Sequence, residues 1–332
     1  MDGGAWGFDG LPPKVWEEYE KLSREGALPK EIDRGRDRYF KFLFGTPERK
    51  FLLLDFLNTT LTLMKYEPLE DIALVDRELS PRILGGKGSR LDLIGRAVSG
   101  RVVDLELQKR DKGNFVQRAL YNSATILSRQ LNEGDNYRKL RQTIFVGLVD
   151  FPMFDGPKWR WDFVLGNMET GKVLTADLLL IFVEMGKLNA QLNELRRQVR
   201  AGRLDPRDLT TRLALWGGYI GNRGVDVVTR VADPVFRKVM ETERDYWGDS
   251  RNRFLQLLEE RAERDRYSDL QDAREEGEAI GEARGEARGE ARGIIKGKLE
   301  TARSMLADGM TPDLISKFTG LPIAEIEALR GK

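Results

Sequence analysis

The sequence predicts a mixed α/β domain, in which helices cover a sheet, followed by a helical region. Two β-prone runs flank a Ser99-Gly100 turn signal, a pattern typical of a hairpin. Residues 143–151 form a mostly apolar run, as expected for a strand that is covered on both faces. Apolar residues recur at helical spacing in residues 39–61 and 114–131, before and after the hairpin. The order of helix, strands, helix and strand therefore favours a sheet flanked by helices.

The remaining elements of this first region follow from weaker patterns. An irregular lead-in over residues 1–30 contains a short helical pattern, and the Gly45-Thr46-Pro47 break divides residues 39–61 into two helices. Residues 74–84 are expected to form a loop or a short strand before Gly85, Gly86 and Gly88 lead into the hairpin. Two further strands are predicted, at residues 159–165 and 178–183.

After Lys187 the strand patterns stop, and the sequence predicts four successive parts of the chain. Helical patterns cover residues 188–201, 208–219 and 234–262, with sparse apolar positions. We therefore expect an α/β domain (1–190), a smaller helical lobe (191–274), a repeat (275–298) and a three-helix tail (299–332).

The repeat has glycine at every fourth residue from Gly277 to Gly297, in units of Gly-Glu-Ala-Arg. On a helix, the glutamates and the arginines form separate columns and are never three or four residues apart. Each glycine also costs about 1 kcal/mol in a helix, so this helix is predicted to be marginal in isolation. Two interpretations remain open: a charged, partly helical spacer, or a helix that associates with a second copy through its Gly/Ala surface.

The tail carries clear helix boundaries. Gly309 ends one helix, Thr311 and Pro312 begin a second, and Gly320 ends it before Pro322 opens a third. Three short helices suit a helix-turn-helix unit, which reads DNA in some proteins. The acidic residues of the last helix and the scarcity of basic ones favour a packing or partner module.

Composition narrows the chemistry sharply. The 332 residues include no cysteine and no histidine, which excludes Cys/His zinc sites and nucleophile systems that depend on His. Any metal must have oxygen ligands, which favours magnesium or manganese. The formal net charge of +1 gives no global attraction to nucleic acid. Without a long apolar stretch or a signal-peptide pattern, the protein is expected to be soluble and cytoplasmic, with no membrane partner.

The second strand of the hairpin places polar side chains on one face. Asp104, Glu106 and Gln108 alternate with apolar residues, and Asp92 in the preceding strand can join them. Two carboxylates can bind a hard cation that assists hydrolysis, with Gln108 oriented toward water or phosphate. Opposed residues on antiparallel strands share a face, so Asp92 reaches this face only if the numbers of paired residues add up to an even sum. We predict that a three-residue Ser99-Gly100-Arg101 loop, or an equivalent bulge, gives this register. The alternative is an ordinary solvated sheet face.

Several segments resemble one family in consistent order. They are Asp37-Arg-Tyr-Phe-Lys41 with Leu-Phe-Gly45, Leu-Leu-Asp-Phe-Leu-Asn58, Leu91-Asp92, Leu105-Glu106-Leu107-Gln108, Arg118 with Tyr121, Gly134-Asp-Asn-Tyr137 and Phe182-Val-Glu184-Met-Gly-Lys187. Together they are similar to the recombination-promoting nucleases, the YhgA-like branch of PD-(D/E)XK nuclease transposases. The likeness covers about residues 33–190, and the glycine repeat with a helical tail is also similar to how such chains end.

The resemblance implies a restriction-endonuclease-like mixed sheet and magnesium-dependent DNA cleavage. It implies that Asp92 and Glu106 are metal ligands and that Gln108 stands where most of the superfamily has lysine. An amide carries no positive charge, so activity is expected to be weaker unless another cation supplies it.

The supporting candidates are Asp37, Lys109, Arg118 and Tyr121. Lys109 or Arg118 are candidates for the missing charge. Arg118 and Tyr121 could alternatively pack and cap their helix, and Asp37 could act at a helix N-terminus. The functional alternative is a nuclease-like module that binds DNA or a partner and cuts weakly or not at all.

Overall fold

The computed structural model describes residues 11–75, 78–79 and 89–329. Within these residues there are eight strands: β1 (Ile72–Leu74), β2 (Glu78–Leu79), β3 (Ser89–Arg90), β4 (Leu93–Ala97), β5 (Val102–Gln108), β6 (Thr143–Val149), β7 (Arg160–Gly166) and β8 (Val173–Glu184). The α-helices of the same residues are α1 (Pro13–Arg24), α2 (Asp37–Phe44), α3 (Lys50–Leu63), α4 (Phe115–Ser128), α5 (Asn189–Arg200), α6 (Leu209–Ile220), α7 (Val225–Val228), α8 (Pro234–Gly248), α9 (Ser250–Ala307), α10 (Pro312–Thr319) and α11 (Ile323–Ala328). Gly85, Gly86 and Gly88 lie outside the described residues.

Six strands form one mixed sheet in the order β1-β4-β5-β6-β8-β7. β5, β6 and β8 run parallel, whereas β1, β4 and β7 pair antiparallel with their neighbours. A parallel pair needs a crossover connection, and α4 provides it between β5 and β6. The predicted mixed sheet flanked by helices is confirmed.

The β4–β5 hairpin has the even-sum register that the site requires, because Leu93 pairs with Leu105. Its three-residue loop is Val98-Ser99-Gly100, one residue earlier than the Ser99-Gly100-Arg101 loop that we predicted: Ala97 N–H donates to the Arg101 carbonyl at 2.8 Å. The reason lies in Gly100, whose φ of +83° suits the last position of such a loop. Glycine adopts this left-handed conformation without steric cost, and its place in the chain sets where the loop begins.

Both faces of the sheet are buried. Val103 and Leu105 of β5 belong to the large core that includes residues of α2, α3 and α6. On the opposite face, Phe115 of α4 packs with Phe145 of β6 and its neighbours. Asp104 pairs with Phe145 in register, so the polar side chains of β5 lie on the face that α4 covers. A solvated face is therefore wrong: Asp104, Glu106 and Gln108 are only 0%, 4% and 7% exposed.

Helices α5 to α8 share the core of the sheet. Trp216 and Tyr219 of α6 are fully buried, and Trp216 contacts Phe44 and Phe56 from α2 and α3. Residues up to Leu257 consequently form one compact unit, and the second begins at Leu258. Our predicted division instead placed a boundary at residue 190, because the sparse apolar positions of these helices did not reveal their burial.

The second unit contains most of α9 together with α10 and α11. The glycine repeat lies inside α9, and the space around each of its glycine α-carbons is open. Ala302, Ile315, Leu321 and Ile326 form a small buried cluster. Gly309 and Gly320 have φ values of +83° and +70°, at the ends of α9 and α10. No helix in the described ranges combines the length and apolar character needed to span a bilayer.

Candidate active site

Two carboxylates face each other across the β4–β5 hairpin. Because Leu93 pairs with Leu105, the preceding residue, Asp92, lies opposite Glu106. Side chains at opposed positions of an antiparallel pair point to the same face. Asp92 Oδ2 also accepts a 2.9 Å hydrogen bond from the backbone N–H of Leu107, which holds the carboxylate against β5. The register and this hydrogen bond together bring Asp92 beside Glu106.

Arg118 reaches the same face from α4, which the aromatic cluster around Phe115 holds on the sheet. Its Nη2 atom lies 3.2 Å from Glu106 Oε2 and donates a 2.7 Å hydrogen bond to Gln108 Oε1. The other end of that amide, Gln108 Nε2, donates to the Arg110 carbonyl at 2.7 Å. Each end of the Gln108 amide therefore makes a hydrogen bond, and Oε1 makes its bond to the Arg118 guanidinium.

A second cation approaches from α2. Lys41 Nζ forms an ion pair with Asp37 Oδ1 at 2.5 Å, one helical turn away, and lies 3.8 Å from Asp92 Oδ1. The lysine side chain is 11% exposed, whereas that of Asp37 is 58% exposed. α2 holds this position because its apolar side, Tyr39, Phe40, Leu43 and Phe44, is buried in the main core. Lys41 is thus a site residue that our sequence analysis did not single out.

Three carboxylate oxygens on this face have no hydrogen-bond partner among the described residues. Within the described part of the chain, neither carboxylate oxygen of Asp104 has a hydrogen-bond partner, and nor does Glu106 Oε1. Burial raises the pKa of Asp104 well above its ordinary value, and the neighbouring Glu106 and Asp92 raise it further. Burial, followed by repulsion from Asp92, raises the pKa of Glu106 to about 7. Burial also raises the pKa of Asp92. The face has a deficit of positive charge.

Carboxylate oxygens are the donors that magnesium and manganese prefer. Asp92 and Glu106 fit such a cation, because the two residues are opposed and Glu106 Oε1 has no hydrogen-bond partner among the described residues. In the described residues, no group of three or more Asp or Glu side chains converges as a metal site. Magnesium commonly binds one or two carboxylates and completes its shell with waters and substrate phosphates, so two opposed carboxylates suffice.

The other predicted residues have different positions. Lys109 follows Gln108, but its ammonium pairs with Asp33. Burial acts to raise the pKa of Asp33, whereas Lys109 lowers it, and the resulting pKa lies below the ordinary value. Tyr121 is an exposed residue of α4, one turn beyond Arg118. The structure therefore brings Asp37, Asp92, Glu106, Gln108 and Arg118 together and directs Lys109 toward Asp33.

The opposed carboxylates on a mixed sheet between helices are consistent with the PD-(D/E)XK nuclease fold. A family model described as PD-(D/E)XK nuclease family transposase matches residues 35–273. The match covers more than half of the 332 residues, and the chain belongs to this family. Comparison with curated proteins and with solved structures gave no match. The matched range extends through α8 and into α9, so it includes the helices that complete the core.

Proposed function

We propose that this chain is a metal-dependent DNA endonuclease that hydrolyses phosphodiester bonds and uses Mg²⁺ or Mn²⁺. The observation that carries the proposal is the opposed pair of carboxylates, the partly exposed Asp92 and the buried Glu106, with Arg118 in contact with Glu106. Membership of a nuclease family supports DNA as the substrate. The absence of histidine and cysteine from the sequence supports hydrolysis assisted by an oxygen-ligated metal.

The reaction adds water across a P–O bond. The water oxygen forms a bond to phosphorus and gives up a proton to solvent, while the bond to the sugar oxygen breaks and the leaving oxygen takes up a proton. A cation bound by Asp92 and Glu106 would polarise the phosphoryl group and acidify a bound water. Arg118 neutralises negative charge that develops on the phosphate, and Gln108 keeps the guanidinium in place. In this proposal, the positive charge expected at position 108 comes from α4.

Plasmid nicking with Mg²⁺ or Mn²⁺ tests the proposal. Asp92→Ala and Glu106→Ala should each abolish nicking, because each removes one of the two carboxylate ligands. Asp111→Ala is the matched control, since it removes a carboxylate from the exposed loop after β5. The control should nick like the wild type. Nicking that survives both site substitutions would contradict the assignment.

One observation favours the second candidate, a nuclease-like module that binds DNA or a partner with little or no cleavage. Hydrogen bonds to Arg118 and to the Arg110 carbonyl already fix the Gln108 amide, and this amide carries no positive charge to stabilise the developing phosphate charge. This function predicts DNA retention in a gel-shift assay without nicking under either metal. Nicking that depends on Asp92 would exclude it.

We further propose a cytoplasmic protein that acts in recombination or transposition, and of these the family description supports transposition. Self-association through residues 275–298 is part of this proposal, with a charged spacer as the alternative. The open surface along the glycines of α9 permits close approach of a second helix. Sedimentation of the chain with and without residues 275–298 tests it, and an unchanged monomer would contradict self-association.

A further inference from the structure

Two cationic side chains, Arg118 and Lys41, lie beside the carboxylate pair, and a third, Lys109, follows Gln108 in the chain. The Lys109 ammonium is paired with Asp33. Arg118 contacts both Glu106 and Gln108 through one terminal nitrogen. Lys41 approaches the other carboxylate, Asp92, at 3.8 Å. That separation is too long for a hydrogen bond, so the Lys41 ammonium lies near Asp92 without donating to it.

The partner that does hold Lys41 is easily exchanged. Asp37 is 58% exposed, so water screens its ion pair with Lys41 and the pair is weak. The lysine itself is 11% exposed, so its charge remains beside Asp92 whether or not the Asp37 contact is made. A nearly buried ammonium has three N–H donors to satisfy, and a phosphate oxygen is a stronger acceptor than water.

Each of the two carboxylates has its own neighbouring cation. Arg118 comes from α4 to Glu106, and Lys41 comes from α2 to Asp92, so the carboxylate pair has a cation on each side. DNA phosphates carry negative charge that two carboxylates repel, and a neutral Gln108 does nothing to offset this repulsion. An additional cation on the Asp92 side compensates for it.

We propose that Lys41 is a phosphate-binding residue of this site, whose ammonium leaves Asp37 to contact a non-bridging oxygen of the DNA backbone. The inference rests on the proposed function for the identity of the substrate. It assigns to α2 part of the positive charge that the neutral residue at position 108 lacks. Asp37 is then a positioning residue, which holds the lysine toward Asp92 when no DNA is bound.

The test measures DNA binding in EDTA, so that it does not depend on cleavage. Lys41→Met preserves the aliphatic stem, and one lost phosphate contact should lower the slope of log affinity against log salt by about 1. Lys41→Arg retains a charge and should keep the slope. The control is Lys50→Met, which also breaks an ion pair, with Asp71. Asp71 lies by the hairpin turn, since its carbonyl accepts from Val98 N–H.

Thermal unfolding of each variant shows whether it folds. A folded Lys41→Met protein with the wild-type salt slope would overturn the proposal, as would an equal loss in Lys50→Met. If Lys41→Arg lost the slope as Lys41→Met does, the lysine would be structural and the proposal would fail. Wild type that binds DNA but does not nick it would contradict the endonuclease function alone, because the slope still tests Lys41. In an active wild type, Lys41→Met should also slow nicking by roughly 10²-fold, as expected for a lost charge-stabilising donor.

Discussion

Replacing Glu106 with glutamine should stabilise the metal-free protein at pH 8. Burial and Asp92 raise the pKa of Glu106 from 4.5 to about 7. At about 1.4 kcal/mol per pKa unit, the ionised glutamate lowers the free energy of unfolding by about 3 kcal/mol. The attraction of Arg118, which lowers the pKa of Glu106, is already part of this value. The neutral amide avoids the cost of ionisation, so we expect a gain of about 3 kcal/mol.

The assay is urea unfolding in EDTA, followed by tryptophan fluorescence at two pH values. The folded protein binds more protons than the unfolded chain between pH 4.5 and about 7, so stability falls as pH rises through this window. At pH 5 the wild-type glutamate is mostly protonated in the folded state, and the advantage of Glu106→Gln should largely vanish. An amide variant that is equal to or weaker than the wild type at pH 8 would refute the reasoning.

Glu184→Gln is the matched control for this experiment. Glu184 is as buried as Glu106, but its carboxylate accepts hydrogen bonds from Met153 N–H at 3.0 Å and Trp161 Nε1–H at 2.8 Å, and it pairs with Lys187 at 2.7 Å. Neutralising a buried carboxylate that has its partners leaves those partners unsatisfied, so this variant should lose about 1–3 kcal/mol. The same substitution is thus expected to act with opposite sign at the two sites.

The remaining predictions concern metal, position 108 and packing under α4. Magnesium at about 100 times its dissociation constant should stabilise the wild type by about 2.7 kcal/mol in thermal unfolding, and Asp92→Asn should abolish this gain. Gln108→Lys should reduce nicking, because its ammonium would repel Arg118, which now donates a 2.7 Å hydrogen bond to Gln108. Recovery of nicking when Arg118→Gln is added to the same chain would show that the repulsion is the cause. Gly147→Ala would place a methyl group 2.9 Å from the Phe145 ring and 3.0 Å from the Phe115 ring, so unfolding should show a loss of about 1–3 kcal/mol. Because the displaced α4 carries Arg118, nicking should fall as well, and unchanged activity would contradict this coupling.

The hairpin shows how much of the site local sequence can predict. The alternation from Val103 to Gln108 predicted which side chains share a face, since successive strand residues point to opposite sides. The Ser99-Gly100 signal predicted a turn with the correct parity, but it placed the loop one residue late. Whether Asp92 and Glu106 share a face depends on whether the loop has an odd or even number of residues. The position of the loop depends on which residue adopts the left-handed conformation.

The surroundings of the hairpin depended on distant segments. A solvated face was a reasonable reading of Asp104 and Glu106, because nothing in β5 indicates that α4 will cover it. That cover exists because Phe115 packs with Phe145 and Phe182 from two other strands. Similarly, Asp37 and Lys41 have the spacing of an ordinary helical ion pair, and only the packing of α2 brings the lysine near Asp92.

By itself, the sequence determined the mixed α/β class, the shared face of the hairpin carboxylates and, through the lack of histidine and cysteine, an oxygen-ligated chemistry. These properties depend on composition and on short-range periodicity, which need no knowledge of distant contacts. Only the tertiary structure decided that the acidic face is buried, that Gln108 accepts a hydrogen bond from Arg118, and that helices α5 to α8 complete the core. Each of these depends on side chains from separate elements meeting in space, and burial then sets the charge balance of the site.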